Sequence, residues 1–427
     1  MSMHSMPFAT LFAAVAALTG CGEHDTMDDA AAVSADSTFQ LVSSTTQDFA
    51  TDQGRLSRTE MRVQNGPSAQ NQFGVVRWYR PDVALRGAVV LAPGVLVSSR
   101  YEEIGDDPHD ANQDAATSIA GALALANLDV YLYNPRASLL KPGACDAADA
   151  CGQMKSWGIE ARVDDIGYIR DLVAQVHGAR RPIIGGLSMG GTTALAAVNR
   201  DPGAWAGIID WDGPLAQTDE LQARYADVCT KLTASLAEGA LWDTSGFAGT
   251  LKALSDARLA GADASSPFIP GLTNGEAFRF SVTSPFPANS PSFGPPLNGF
   301  PAGLQMNAGN KDLLTYGSDE KWARMLSNSV MAYFPLHDWV DATCVLAGSS
   351  TLAGRLGAFQ GPALGFQMGR GFGDSVAAAM ALLGSNDREL LVYPDYGHAD
   401  LLITPDRAVE STILKWIKKH ERALGWN

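Results

Sequence analysis

The sequence predicts an α/β fold, a mostly parallel central sheet flanked by helices with a large insertion before its last strands. Three observations carry this. Short runs that are apolar throughout, such as Ala88 to Ala92 and Pro182 to Leu187, read as strands buried on both faces. Segments with apolar residues at helical spacing alternate with them, as over Asn112 to Leu128 and Ile159 to Val176. Between about Pro214 and Gly348 this rhythm is lost, and it then returns.

Taken in order, residues 1–20 form a unit of their own. Phe8 to Leu18 is an uncharged run too short to cross a bilayer, as in the core of a signal peptide, although no Lys or Arg precedes it. It ends in Leu18-Thr19-Gly20-Cys21, which resembles the bacterial lipobox and implies that Cys21 is lipidated and becomes the mature N-terminus. Residues 21–53 are polar and acidic with no apolar period, and read as a flexible tether.

The first part of the core, residues 54–215, begins with the alternating edge-strand pattern of Phe73 to Tyr79. Further strands are expected at Ala88 to Ala92, Asp129 to Asn134, Pro182 to Leu187 and Ala206 to Ile209, with a small-residue helix over Thr192 to Asn199. Residues 216–348 are expected to be a cap, with helices near Thr218 to Glu238, Phe247 to Leu259 and Glu320 to Val340 around a stretch rich in Pro, Gly, Ser and Asn. The second part of the core, residues 349–427, supplies strands at Ala363 to Met368 and Glu389 to Tyr393 and helices over Ser375 to Leu383 and Pro405 to Leu424.

Composition narrows the function. Of 427 residues, 46% are hydrophobic and 18% charged, the balance of a globular protein with a substantial core. A net charge of -15 argues against nucleic acid or an anionic membrane surface as partner, so membrane contact is expected only through the N-terminal lipid. Besides Cys21 the chain holds Cys145, Cys151, Cys229 and Cys344, an even set in an exported chain. A local bridge from Cys145 to Cys151 would leave Cys229 for Cys344. No C-x-x-C pair or neighbouring histidine supports a metal site, and no cofactor is expected.

The chemistry centres on Gly186-Leu187-Ser188-Met189-Gly190-Gly191, between an apolar strand and a helix. On such a turn a serine is held in a strained backbone conformation that lifts its hydroxyl clear of the sheet, and Gly186 and Gly190 let strand and helix approach. Ser188 therefore reads as a nucleophile, which needs a base. Of seven histidines, His398 follows the last strand and a glycine turn, where this architecture ends the serine, acid, histidine order. His337, in the expected cap, reads as structural, as do His109 in its loop and His177 at a helix end; His420 reads as solvated among lysines. The orienting carboxylate is expected to be Asp374, in the loop after Ala363 to Met368, with Asp387 next and then Asp338 and Asp341. Donors for a developing oxyanion are expected from the amides of Met189 and of Val95, in the Pro93-Gly94-Val95 loop after an early strand.

Together these residues resemble the α/β-hydrolase family, and within it the acid-lipase-like branch, over roughly residues 73 to 215 and 360 to 425. Val90-Leu91-Ala92-Pro93-Gly94-Val95-Leu96 is similar to that branch's strand and oxyanion loop. Asp129 to Arg136 is similar to its strand ending in Asn-x-Arg, and Trp157 with Asp164-Asp165-Ile166 matches its Trp and Asp-rich helix. Leu187 stands where the branch has histidine and Ala137 where it has glycine. The resemblance implies an α/β-hydrolase fold, while the substrate does not carry over from that branch; the serine, histidine and acid make a secreted, lipid-anchored serine hydrolase of small-molecule or lipid carboxylic esters the leading expectation. A peptidase or amidase on the same fold, or a non-catalytic envelope lipoprotein that binds a ligand, are the alternatives.

Overall fold

A computed structural model describes residues 39–426, apart from 148–149, 216–218, 245, 284–313 and 349–351. The expected leader, Cys21 and the first part of the tether lie outside the described residues. Among the described residues nine strands form one sheet, in the order β1-β2-β3-β5-β4-β6-β7-β8-β9. They are β1 (Phe39–Thr51), β2 (Gly54–Asn65), β3 (Gln72–Tyr79), β4 (Gly87–Ala92), β5 (Leu128–Asn134), β6 (Ile183–Leu187), β7 (Gly207–Trp211), β8 (Ala363–Met368) and β9 (Arg388–Tyr393). The first three run antiparallel to their neighbours, and β4 through β9 are parallel.

The parallel strands read as continuous apolar runs because both faces are covered. In β4, Val89 and Leu91 face the layer that holds Leu123 and Trp416, while Ala88, Val90 and Ala92 face the layer that holds Ile166 and Leu195. The helices of these layers are α1 (Ala111–Thr117), α2 (Ile119–Leu125), α3 (Ile159–His177), α4 (Met189–Arg200), α10 (Ser375–Ala381) and α11 (Ala408–Leu424). The single helix expected over Asn112 to Leu128 is two. Ser118 sits extended between them, and its side chain caps α2 by accepting from the Gly121 amide.

Between β7 and β8 lie α5 (Asp219–Ala237), α6 (Phe247–Ala260), α7 (Asn274–Thr283), α8 (Asp319–Ser329) and α9 (Leu336–Leu346). The helix expected over Glu320 to Val340 is also two, because the chain is extended at Val330 and Pro335 cannot continue α8. The cysteines pair as Cys145–Cys151 and Cys229–Cys344, the second joining α5 to α9.

The tether ends earlier than its composition suggests. Residues 39–51 form β1, a long hairpin partner of β2, although most of its side chains are exposed on both faces. Phe49 is its anchor, stacked on Trp78 with ring centroids 5.2 Å apart. β3 consequently lies between β2 and β5 and is not an edge.

Candidate active site

Ser188 sits at the junction of β6 and α4 with φ 59 and ψ -124, a conformation that a residue with a side chain adopts only under constraint. The constraint is packing. A Cβ at Gly186 would stand 2.3 Å from the Ala92 carbonyl, and one at Gly190 would stand 1.9 Å from the same oxygen. The Ser188 amide donates to the Trp211 carbonyl at the end of β7, 2.8 Å away, which ties the turn to the next strand.

One residue beyond Trp211 is Asp212, fully buried and with φ 47, a left-handed conformation that aspartate tolerates better than most. Its Oδ2 lies 2.6 Å from Nδ1 of His398. The amides of Met368 and Phe372 also donate to its carboxylate, at 3.3 and 3.2 Å. A side chain at Gly371 would strike Oδ2 at 2.1 Å, so the loop after β8 closes directly over the pair. The Phe372 ring meets the His398 imidazole edge to face, 5.0 Å between centroids. With Nδ1 committed to Asp212, the imidazole keeps Nε2 for a second proton partner.

Asp374, the expected orienting acid, is elsewhere. It occupies the N-cap position of α10, makes no cap hydrogen bond there, and accepts from the Gln367 side chain at 3.1 Å. The carboxylate beside His398 is therefore Asp212, for a topological reason: β7 runs through Trp211 instead of stopping at Ile209, and delivers the next residue to the carboxyl end of the sheet. The signal was a second aspartate after an apolar strand, directly before Gly213-Pro214. Asp387 accepts from Nε2 of His420 at 3.1 Å, and Asp338 pairs with Arg162. His420 is buried, not solvated, and also meets the Trp416 carbonyl at 2.8 Å. His337 contacts the Lys155 carbonyl and Asp341, and His177 bonds Asp129 at 2.7 Å.

Gly94 lies against the nucleophile turn: a Cβ there would stand 3.5 Å from the Ser188 Cβ. Its neighbour Val95 packs on an apolar cluster that holds Leu96 and Met189 together with Met331, Phe334 and Trp339 from the insertion. Asn134 and Arg136, at the end of β5, hold the surroundings. Asn134 Oδ1 accepts from the Ser99 amide and hydroxyl at 2.9 and 2.8 Å, and Arg136 forms a bidentate pair with Asp165, at 2.9 and 2.7 Å.

Desolvation favours the neutral form of two buried carboxyls, Glu102 and Asp210. Burial pushes Glu102 up to about 8, offset by the Tyr101 hydroxyl that donates to it. Burial also pushes Asp210 well above the usual range, against a hydrogen bond from the Gly213 amide. Among the described residues no cluster of His, Cys, Asp and Glu could hold a metal ion.

No family model and no curated protein matches the sequence. Among solved structures, a provisionally assigned lipase from Sulfolobus solfataricus superposes with a TM-score of 0.60 at 18% identity, covering 90% of this chain and 99% of its own. The fold is that of the α/β-hydrolases. A thermophilic esterase from Thermogutta terrifontis (TM-score 0.44, 14% identity, 88% and 98% covered) and a monoglyceride lipase variant from Saccharomyces cerevisiae (0.45, 13%, 82% and 94%) overlap less closely.

Proposed function

We propose that this α/β-hydrolase-fold protein is a serine hydrolase that cleaves carboxylic esters through an acyl-enzyme. The observation that carries it is the His398–Asp212 pair, with Asp212 one residue from the carbonyl that anchors the Ser188 turn. Ser188 Oγ attacks the acyl carbon while Nε2 of His398 takes its proton. The oxyanion forms against the amides of Met189 and Val95. The C–O bond then breaks, the imidazolium returns its proton to the departing alcohol, and a water repeats the sequence to free the acid. Asp212 keeps the imidazole in the required tautomer and stabilises its cation. The apolar cluster around Val95 and Met189 suits a hydrocarbon acyl group, and α5, α9 and the segment before α9 act as part of a cap through Val228, Met331, Phe334 and Trp339.

The reading is tested by fluorophosphonate labelling with mass mapping and by turnover of p-nitrophenyl esters. Label on Ser188 with ester turnover supports it, and a folded protein that neither labels nor turns over any ester contradicts it. We further propose that the chain belongs to the acid-lipase-like branch and, independently of that, that it is exported and anchored through a lipidated Cys21. The lipobox-like Leu18 to Cys21 and the two disulfides support this. Cys21→Ala should release the protein from the membrane fraction.

A further inference from the structure

The oxyanion loop is fastened to the insertion as well as to the sheet. Val97 forms an antiparallel bridge with Val330, in the extended segment between α8 and α9. The Ser98 amide donates to the Ser329 carbonyl at 2.8 Å, and the Met331 amide donates to the Leu96 carbonyl at 2.9 Å. Leu96 is held at φ 66, a conformation that persists in such a residue only where its surroundings enforce it.

That segment is in turn fixed to the core beyond the bridge. The Tyr333 hydroxyl oxygen accepts from the amides of Gly143 and Cys145, at 2.8 and 3.3 Å. Asp338 of α9 forms a bidentate pair with Arg162 of α3, at 2.9 and 2.6 Å, with both side chains only 3% exposed. Asp341 accepts from the Ile159 amide at the start of α3, 2.7 Å away. Swinging this segment aside would break a backbone bridge and leave a buried ion pair uncompensated at the same time, an opening the geometry strongly resists.

We propose that residues 329–341 are a fixed strap that keeps the oxyanion loop formed before substrate arrives, so that the site acts on dissolved, monomeric esters without activation at a lipid interface. This rests on the hydrolase reading and adds its substrate class and regulation. The strap supplies no atom to the reaction. It positions Val95 through the pairing of its neighbours Leu96 to Ser98.

The wild-type protein is assayed on p-nitrophenyl butyrate and on tributyrin from well below to well above each ester's solubility limit. A smooth saturation curve with full activity in the dissolved range is expected. Negligible turnover of dissolved ester, with a jump when droplets form, overturns the strap. Separately, Met331→Pro removes the amide that holds Leu96 and should lower kcat roughly 10- to 100-fold with little change in KM, less than the roughly 10²- to 10³-fold lost when an oxyanion donor is removed outright. Wild-type kcat in a Met331→Pro protein of normal melting temperature also overturns it, and if that variant does not fold the solubility series decides alone. The failures are distinguishable: an unlabelled, inert wild type strikes the hydrolase reading itself, whereas a labelled enzyme with an interfacial jump strikes only the strap.

Discussion

At the scale of single residues the site rests on which carboxylate faces the imidazole. Asp212→Asn should lower kcat by roughly 10³- to 10⁴-fold, since the amide stabilises the wrong tautomer and no cation. Asp374→Asn should stay within about twofold of wild type, because that carboxylate meets only Gln367. Steady-state kinetics on one soluble ester checks both, and a reversed pattern would restore Asp374. Glu102 gives a different test. Its carboxyl is raised from an unfolded value of 4.5 to about 8, so the native state holds a proton that the unfolded chain has released. Stability therefore falls as pH rises between those two values, by at most about 1.4 kcal/mol per pH unit from this group, and levels off above. Glu102→Gln should flatten that slope in denaturant titrations at pH 5, 6.5 and 8.

At the scale of elements, the contacts between α3, α5 and α9 decide how firmly the insertion sits. Arg162→Met would leave Asp338 buried without its partner and should cost about 3–5 kcal/mol in stability. Replacing Cys229 and Cys344 together by serine opens a loop with a sequence separation of 115 and should cost about 2–5 kcal/mol, more than losing the short Cys145–Cys151 bridge. Chemical denaturation of the three variants orders them. The sequence was legible where an element is both long and patterned, as in α3 and α6, or short and wholly apolar, as in β4 and β6. It misled where one residue changes direction. Val330 and Pro335 interrupt an otherwise helical pattern, Ser118 divides another, and the two aspartates after Ile209 hide the last residues of a buried strand.

At the scale of the whole molecule, the parallel half of the sheet could be read from its apolar runs, and the antiparallel end could not. Most β1 side chains are exposed, and only Phe49, Leu56, Met61 and Val63 of β1 and β2 are both apolar and buried. A chain starting at residue 53 should melt lower than one starting at residue 38, and aggregate. The shorter chain loses the Phe49–Trp78 stack and bares the edge of β2. Differential scanning fluorimetry with light scattering separates the two outcomes. Among the described residues no helix is long and apolar enough to cross a membrane.

The bridge between Val97 and Val330 bears on how such proteins can be recombined. An insertion between two strands looks like an exchangeable accessory, joined to its host only at its ends and free to be traded for another with a different specificity. Here the host's own loop has become one side of a short two-stranded ribbon whose other side belongs to the guest. A graft with cut points near 214 and 360 would carry away half of that ribbon, so an insertion transplanted in this way should arrive in a scaffold whose loop after β4 has lost its partner unless the matching loop travels with it.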